Sequence, residues 1–117
     1  MILVLNKTTP KQGVTVLQMK GSIHSGPDCR RVEQEVEQLI GQSKLVILDF
    51  CEVTHIDSAA IGSIVRCFMR MKGSGGKLCL AGCAGMIESS LKLTRLDKVL
   101  EIFPTAAAAA EKHSPAN

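Results

Sequence analysis

The run His55-Ile56-Asp57-Ser58-Ala59-Ala60-Ile61-Gly62 sets a hydroxyl between an apolar, strand-like segment and an amphipathic, helix-like one. A serine at such a junction lies at a helix N-terminus. There its side chain can cap free backbone N–H groups, and a phosphate carried on it would meet the same donors. The small residues around it leave room for another protein to come close. Read from this stretch alone, Ser58 is a plain N-cap worth about 1 kcal/mol. Nothing nearby is placed to activate it as a nucleophile: His55 is three residues away on an extended approach, and a triad needs spatial convergence.

Other catalytic patterns fail on inspection. Gly73-Ser74-Gly75-Gly76-Lys77 resembles a phosphate loop only superficially. Met71 stands where a glycine is required, Leu78 follows the lysine in place of Ser or Thr, and the segment leads into a strand. The sequence contains no G-x-G-x-x-G, H-E-x-x-H or G-x-S-x-G. The chain therefore reads as a non-enzyme without a cofactor.

Five cysteines, Cys29, Cys51, Cys67, Cys79 and Cys83, form an odd and irregular set. They read as buried small hydrophobes in a reducing compartment rather than a disulfide framework. His24, His55 and His113 are too dispersed to complete a zinc site, so no metal is expected. The 117 residues carry a formal charge of only +3, with no Trp, no Tyr and three Phe, so neither a basic stripe nor a stacking platform for nucleic acid is present. The apolar start at residues 1–5 is too short for a signal segment, and no run approaches a membrane span. A cytoplasmic protein without membrane insertion is the expectation.

The elements that must position Ser58 follow from periodicity. Residues 1–5 read as a first strand and 8–13, with Pro10 and Gly13, as a turn. Residues 14–20 alternate as a second strand, ended by Gly21, with Val14, Val16 and Gln18 on one face and Thr15, Leu17 and Met19 on the other. Ser25-Gly26-Pro27-Asp28 opens a helix with Ser25 as cap, and Cys29, Val32, Val36, Leu39 and Ile40 form its apolar stripe, with Gly41 as the stop. Its Arg30, Arg31, Glu33, Gln34, Glu37 and Gln38 read as a solvated face. Residues 45–50 form a strand buried on both faces. After Ser58 the spacing of Ile61, Ile64, Val65, Phe68 and Met69 predicts the inward stripe, with Ala59, Gly62, Ser63, Arg66 and Arg70 outward. A strand at 77–81, a helix at 86–93, a brief extended piece at 101–103 and an alanine-rich helix capped by Thr105 complete a mixed α/β order. The last helix, within about 106–117, has strong helix propensity but little to bury, so its end is expected to fray.

At Ile56-Asp57-Ser58-Ala59-Ala60-Ile61-Gly62 the chain resembles the STAS domain family, in particular the bacterial anti-sigma factor antagonists. The approach Leu45-Val46-Ile47-Leu48-Asp49-Phe50, the later strand Gly76-Lys77-Leu78-Cys79-Leu80-Ala81-Gly82 and the segment from Leu96 to Phe103 extend the likeness over nearly the whole chain. The resemblance implies a single STAS domain over 1–117, with a small, mostly parallel mixed sheet and about four helices. It implies that Ser58 is phosphorylated by a serine/threonine kinase that doubles as an anti-sigma factor. The unmodified form binds that kinase and frees a sigma factor, phosphorylation releases it, and a serine/threonine phosphatase resets it. The partner surface implied is Asp57, Ser58, Ala59, Ala60, Gly62, His24 and Arg66, on a monomer or weak homodimer. Arg66 and Arg70 either flank that surface or are simply solvated. Two positions depart from the family pattern: Ala60 stands where glycine is frequent, and His24 replaces an acidic residue. Alternative roles within the family are a scaffold in a stress-signalling assembly and a transporter-associated, ligand-binding subunit without phosphorylation.

Overall fold

The computed structural model describes residues 2–113. Five strands form one sheet in the order β1-β2-β3-β4-β5: β1 (Val4–Lys11), β2 (Val14–Ile23), β3 (Leu45–Ile56), β4 (Lys77–Ala81) and β5 (Ile102–Phe103). β1 runs antiparallel to β2, and every other neighbouring pair is parallel. The helices are α1 (Pro27–Leu39), α2 (Ser58–Gly73), α3 (Gly85–Leu93) and α4 (Ala106–Lys112), with a 3-10 turn over Leu96–Lys98. This is the mixed, mostly parallel α/β architecture expected.

Alternation along the strands divides the core. Leu17, Met19, Val46, Leu48, Phe50, Leu78 and Leu80 face α1, α2 and α3. Val14, Val16, Leu45, Ile47, Cys79 and Ala81 face α4. β3 is thus buried on both sides as anticipated. Each of its fully covered Val, Leu or Ile side chains contributes roughly 1.5–3 kcal/mol.

Several boundaries move. The expected turn at 8–13 is largely strand, since β1 continues through Pro10 to Lys11 and only residues 12–13 turn. Proline is tolerated there because β1 is an edge strand. Gly21 does not end β2; it is crossed at φ 103° and the strand goes on to Ile23. β3 likewise runs beyond Phe50 to Ile56, following β2 with two register irregularities. Ser25 is not the cap of α1: Gly26, at φ 87°, holds that position without a side-chain bond. The Asp28 carboxylate instead accepts the His24 N–H at 3.1 Å.

The inward face of α2 is rotated from the expected one. Ala60, Ser63, Ile64, Cys67 and Met71 are buried, whereas Met69 is 58% exposed and Ile61, Val65 and Phe68 lie at the flank. Ala60, Ser63 and Cys67 on this face let α2 pack closely beside α1 on the sheet. The last helix also departs from expectation. Thr105 does cap it, accepting the Ala108 N–H. Yet Ala109 and Ala110 are buried against the back of the sheet. Residues 114–117, where fraying was expected, lie outside the described residues.

Candidate functional site

The site is built where β2 and β3 end side by side. Ile23 pairs with Ile56, so the turn entering α1 and the turn entering α2 emerge next to each other. Asp57 joins them. Its Oδ2 accepts the Ser25 N–H at 2.8 Å and its Oδ1 accepts the Ala60 N–H at 3.0 Å. Its own N–H donates to the Ile23 carbonyl at 3.3 Å. Asp57, rather than Ser58, is therefore the N-cap of α2. The Ser25 and Ala60 N–H groups hold its carboxyl below the usual carboxylate range. A carboxylate so engaged is a poor proton acceptor and a good clamp.

Ser58 becomes the first residue of α2. It is exposed, and its hydroxyl makes no hydrogen bond among the described residues. The expectation that it caps the helix is corrected because Asp57, one residue earlier and extended at φ −104°, ψ 179°, already occupies the capping geometry. Release from that duty leaves the oxygen available at the positive end of a 16-residue helix.

The other expected site residues separate into two groups. His24 is on the rim, its Nδ1 4.0 Å from Asp57 Oδ2. Ala59 is partly buried beside the exposed serine. Ala60 is 1% exposed and belongs to the core, so its methyl cannot touch a docking partner. Gly62 is partly exposed, and a Cβ there would meet Arg66 Nη1 at 3.5 Å.

Arg66 is not simply solvated: it is paired across to α1 while its side chain stays 56% exposed. Its Nε and Nη2 donate to Glu33 Oε1 and Oε2 of α1 at 3.1 and 3.0 Å. Glu33 also accepts the hydroxyl of Ser63, a residue expected to face outward but only 2% exposed. Arg70 pairs with Glu37 one turn further on. Arg66, with Ser63 assisting, holds the Glu33 carboxyl below its ordinary range against the opposing effect of burial. Sequence reading missed this ladder by treating the α1 charges as a solvated face. A usable signal was present: acids at 33 and 37 and bases at 66 and 70 repeat with the same four-residue step.

Cys67, Cys79 and Cys83 are pushed up to about 12 by burial, which makes them inert at neutral pH. Among the described residues no His, Cys, Asp and Glu cluster is arranged for a metal ion. Among the described residues no helix is long and apolar enough to cross a membrane.

A strand end, an aspartate clamp and an open serine at a helix start form one continuous arrangement, and residues 7–109 match the STAS domain family throughout it. The chain belongs to the STAS family. A Thermotoga maritima protein named as an anti-sigma factor antagonist is 33% identical over 67 residues, covering 57% of this chain and 59% of that relative. The match thus spans less than two thirds of the relative's length. The crystal structure of an anti-sigma factor antagonist from Mycobacterium paratuberculosis superposes with a TM-score of 0.81 at 17% identity, covering 95% of this STAS chain and 93% of that one. The Bacillus cell fate determinant SpoIIAA in its phosphorylated form gives 0.75 at 13% identity, covering 93% and 98%. At these identities the structural likeness is one of fold.

Proposed function

We propose that this STAS protein is an anti-sigma factor antagonist whose partner is switched by phosphorylation of Ser58. The observation that carries the reading is the open Ser58 hydroxyl at the first residue of α2, presented by the Asp57 clamp. The name of the Thermotoga maritima relative and the phosphorylated form of SpoIIAA support it. The unmodified protein binds an anti-sigma serine/threonine kinase through the rim formed by His24, Asp57, Ser58, Ala59 and Gly62, and a sigma factor is released. A serine/threonine phosphatase restores the binding form.

The physics of the switch is electrostatic. A phosphate adds about −1.5 to −2 charges at pH 7. At the N-terminus of α2 that charge is favourable by about 0.3–1 kcal/mol, so the helix persists. Inside a close interface the same dianion must lose its water beside Asp57, and a penalty of about 2.8 kcal/mol weakens binding a hundredfold.

The test is incubation with ATP and candidate anti-sigma serine kinases from the same genome, read by intact mass. One phosphate is expected on the wild type and none on Ser58→Ala. Persistent kinase binding by Ser58→Ala in the presence of ATP is expected too; release of that variant on ATP addition, or phosphate on it, overturns the reading.

A further inference from the structure

On the back of the sheet, beside α4, a cleft of about 300 Å³ opens between β1, β2 and the alanine helix. Pro10, Val16, Ala106 and Ala107 make its apolar walls, and Thr8, Gln18 and Asp49 are its polar lining. This size and composition match the lower range of small-molecule sites, which are mostly apolar with a few placed polar groups.

Asp49 is the unusual member. It is only 9% exposed and shares the β3 face of Leu45 and Ile47, which pack on α4. Its Oδ1 accepts the Cys51 N–H at 3.0 Å. Gly82, at φ +70°, passes so near that a Cβ there would lie 3.0 Å from the same oxygen. None of the ion pairs among the described residues includes Asp49, and no basic side chain lines the cleft. The carboxylate also bonds the Cys51 side chain, and of its about four acceptor positions the remainder can serve a ligand in the cleft. Gln18 donates its amide N–H toward Cys51 Sγ at 3.8 Å, which leaves its carbonyl oxygen as a second acceptor.

We propose that this cleft binds a small organic cation, an aliphatic ammonium whose N–H groups bond to Asp49 and Gln18 while its hydrocarbon body packs on Pro10, Val16 and Ala106. An anionic ligand is disfavoured by a carboxylate with no basic side chain beside it in the cleft, and a neutral one forgoes the charge-assisted bond. The site is separate from Ser58 and independent of the switch.

Cyclohexylammonium is the probe, titrated into the isotopically labelled full chain and followed by two-dimensional NMR. Cyclohexanol and cyclohexanecarboxylate supply the same ring without the cation. Saturable shifts at the amides of Gln18, Asp49, Ala106 and Ala107 are expected for the ammonium, with binding of cyclohexanol about tenfold or more weaker and none of the carboxylate. Asp49→Asn is expected to lose the preference for the cation. Ala107→Leu crowds the mouth without touching the carboxylate and is expected to weaken binding about tenfold with an unchanged melting temperature. Equal responses to all three probes, absence of saturation, or wild-type affinity in a folded Ala107→Leu protein overturns the proposal. Should Asp49→Asn fail to fold, the probe series and Ala107→Leu still decide it. Ser58→Ala is expected to leave the titration unchanged.

Discussion

In the first turn of α2, Ser58 is exposed with an unengaged hydroxyl, while the backbone around it is pinned by a single aspartate. Over the next two turns the polar side chains are consumed: Ser63 and Arg66 by Glu33, and Arg70 by Glu37. The same helix therefore presents one open group and then closes its charges against α1. The difference separates two duties. On the proposed function the hydroxyl that is modified has no structural task, and the cap is held by Asp57. A helix that carries it must stay put when charge is added, so the turns behind it are braced. The bracing also explains why Arg66 is not placed to clamp a phosphate: it is already held by two acceptors on α1.

The largest expected effect bears on the open turn. Ser58→Asp should weaken binding of the kinase about a hundredfold, near 2.8 kcal/mol, in calorimetric titration. Its unfolding free energy should move by no more than about 1 kcal/mol, because an anion is welcome at this helix end. A large loss of stability would show that Ser58 is structural after all.

The braced turns should respond in the opposite way. Glu33→Ala leaves the Ser63 hydroxyl without a carboxylate acceptor and Arg66 without a partner, and should cost about 1–3 kcal/mol in urea unfolding. Kinase affinity should change far less. The same brace sets an acid limit. Glu33 and Asp57 are both held below their ordinary values in the folded protein. Their contribution is present above the unfolded carboxylate pKa and is lost as pH falls through the lowered folded values. Unfolding midpoints should therefore be level near neutrality and decline below about pH 4, with a shallower decline in Glu33→Gln.

Asp57→Ala tests the connection between the two regions. Loss of the cap should cost about 1 kcal/mol. The Ser25 N–H should also exchange faster with solvent, since its acceptor has gone. Kinase affinity is expected to drop with it, because the rim loses its shape. The smallest effect is Gly62→Ala. The added methyl meets Arg66 at an ordinary 3.5 Å, so stability should rise by up to about 1 kcal/mol from helix propensity. A fall in kinase affinity in this more stable protein would place Gly62 within the docking surface; unchanged affinity would confine that surface to the first turn.

The sheet, the order of its elements and the position of Ser58 at the head of α2 were legible from local patterns. Alternation in 14–20, the apolar run at 45–48 and the Asp-Ser-Ala-Ala step each depend on near neighbours. The rotation of α2 was not legible. Ile61, Phe68 and Met69 satisfy helical spacing as well as Ala60, Ser63 and Cys67 do, and only the close approach of α1 selects the small face. Ala60 moved from the docking surface to the core for the same reason. The alanines of α4 carried too little apolar area to announce burial, and their role became visible only against the back of the sheet.

Sequence by itself determined which residues can form strands and helices and which hydroxyl begins the central helix, because those are matters of period and of adjacency along the chain. Tertiary structure alone decided that Asp57 holds Ser25 across 32 positions, that Glu33 gathers Ser63 and Arg66, and that Asp49 lines a cleft with no basic side chain. Each of these depends on groups far apart in the chain meeting within hydrogen-bond reach or failing to. That outcome is set by how helices and sheet pack, and no local pattern encodes it.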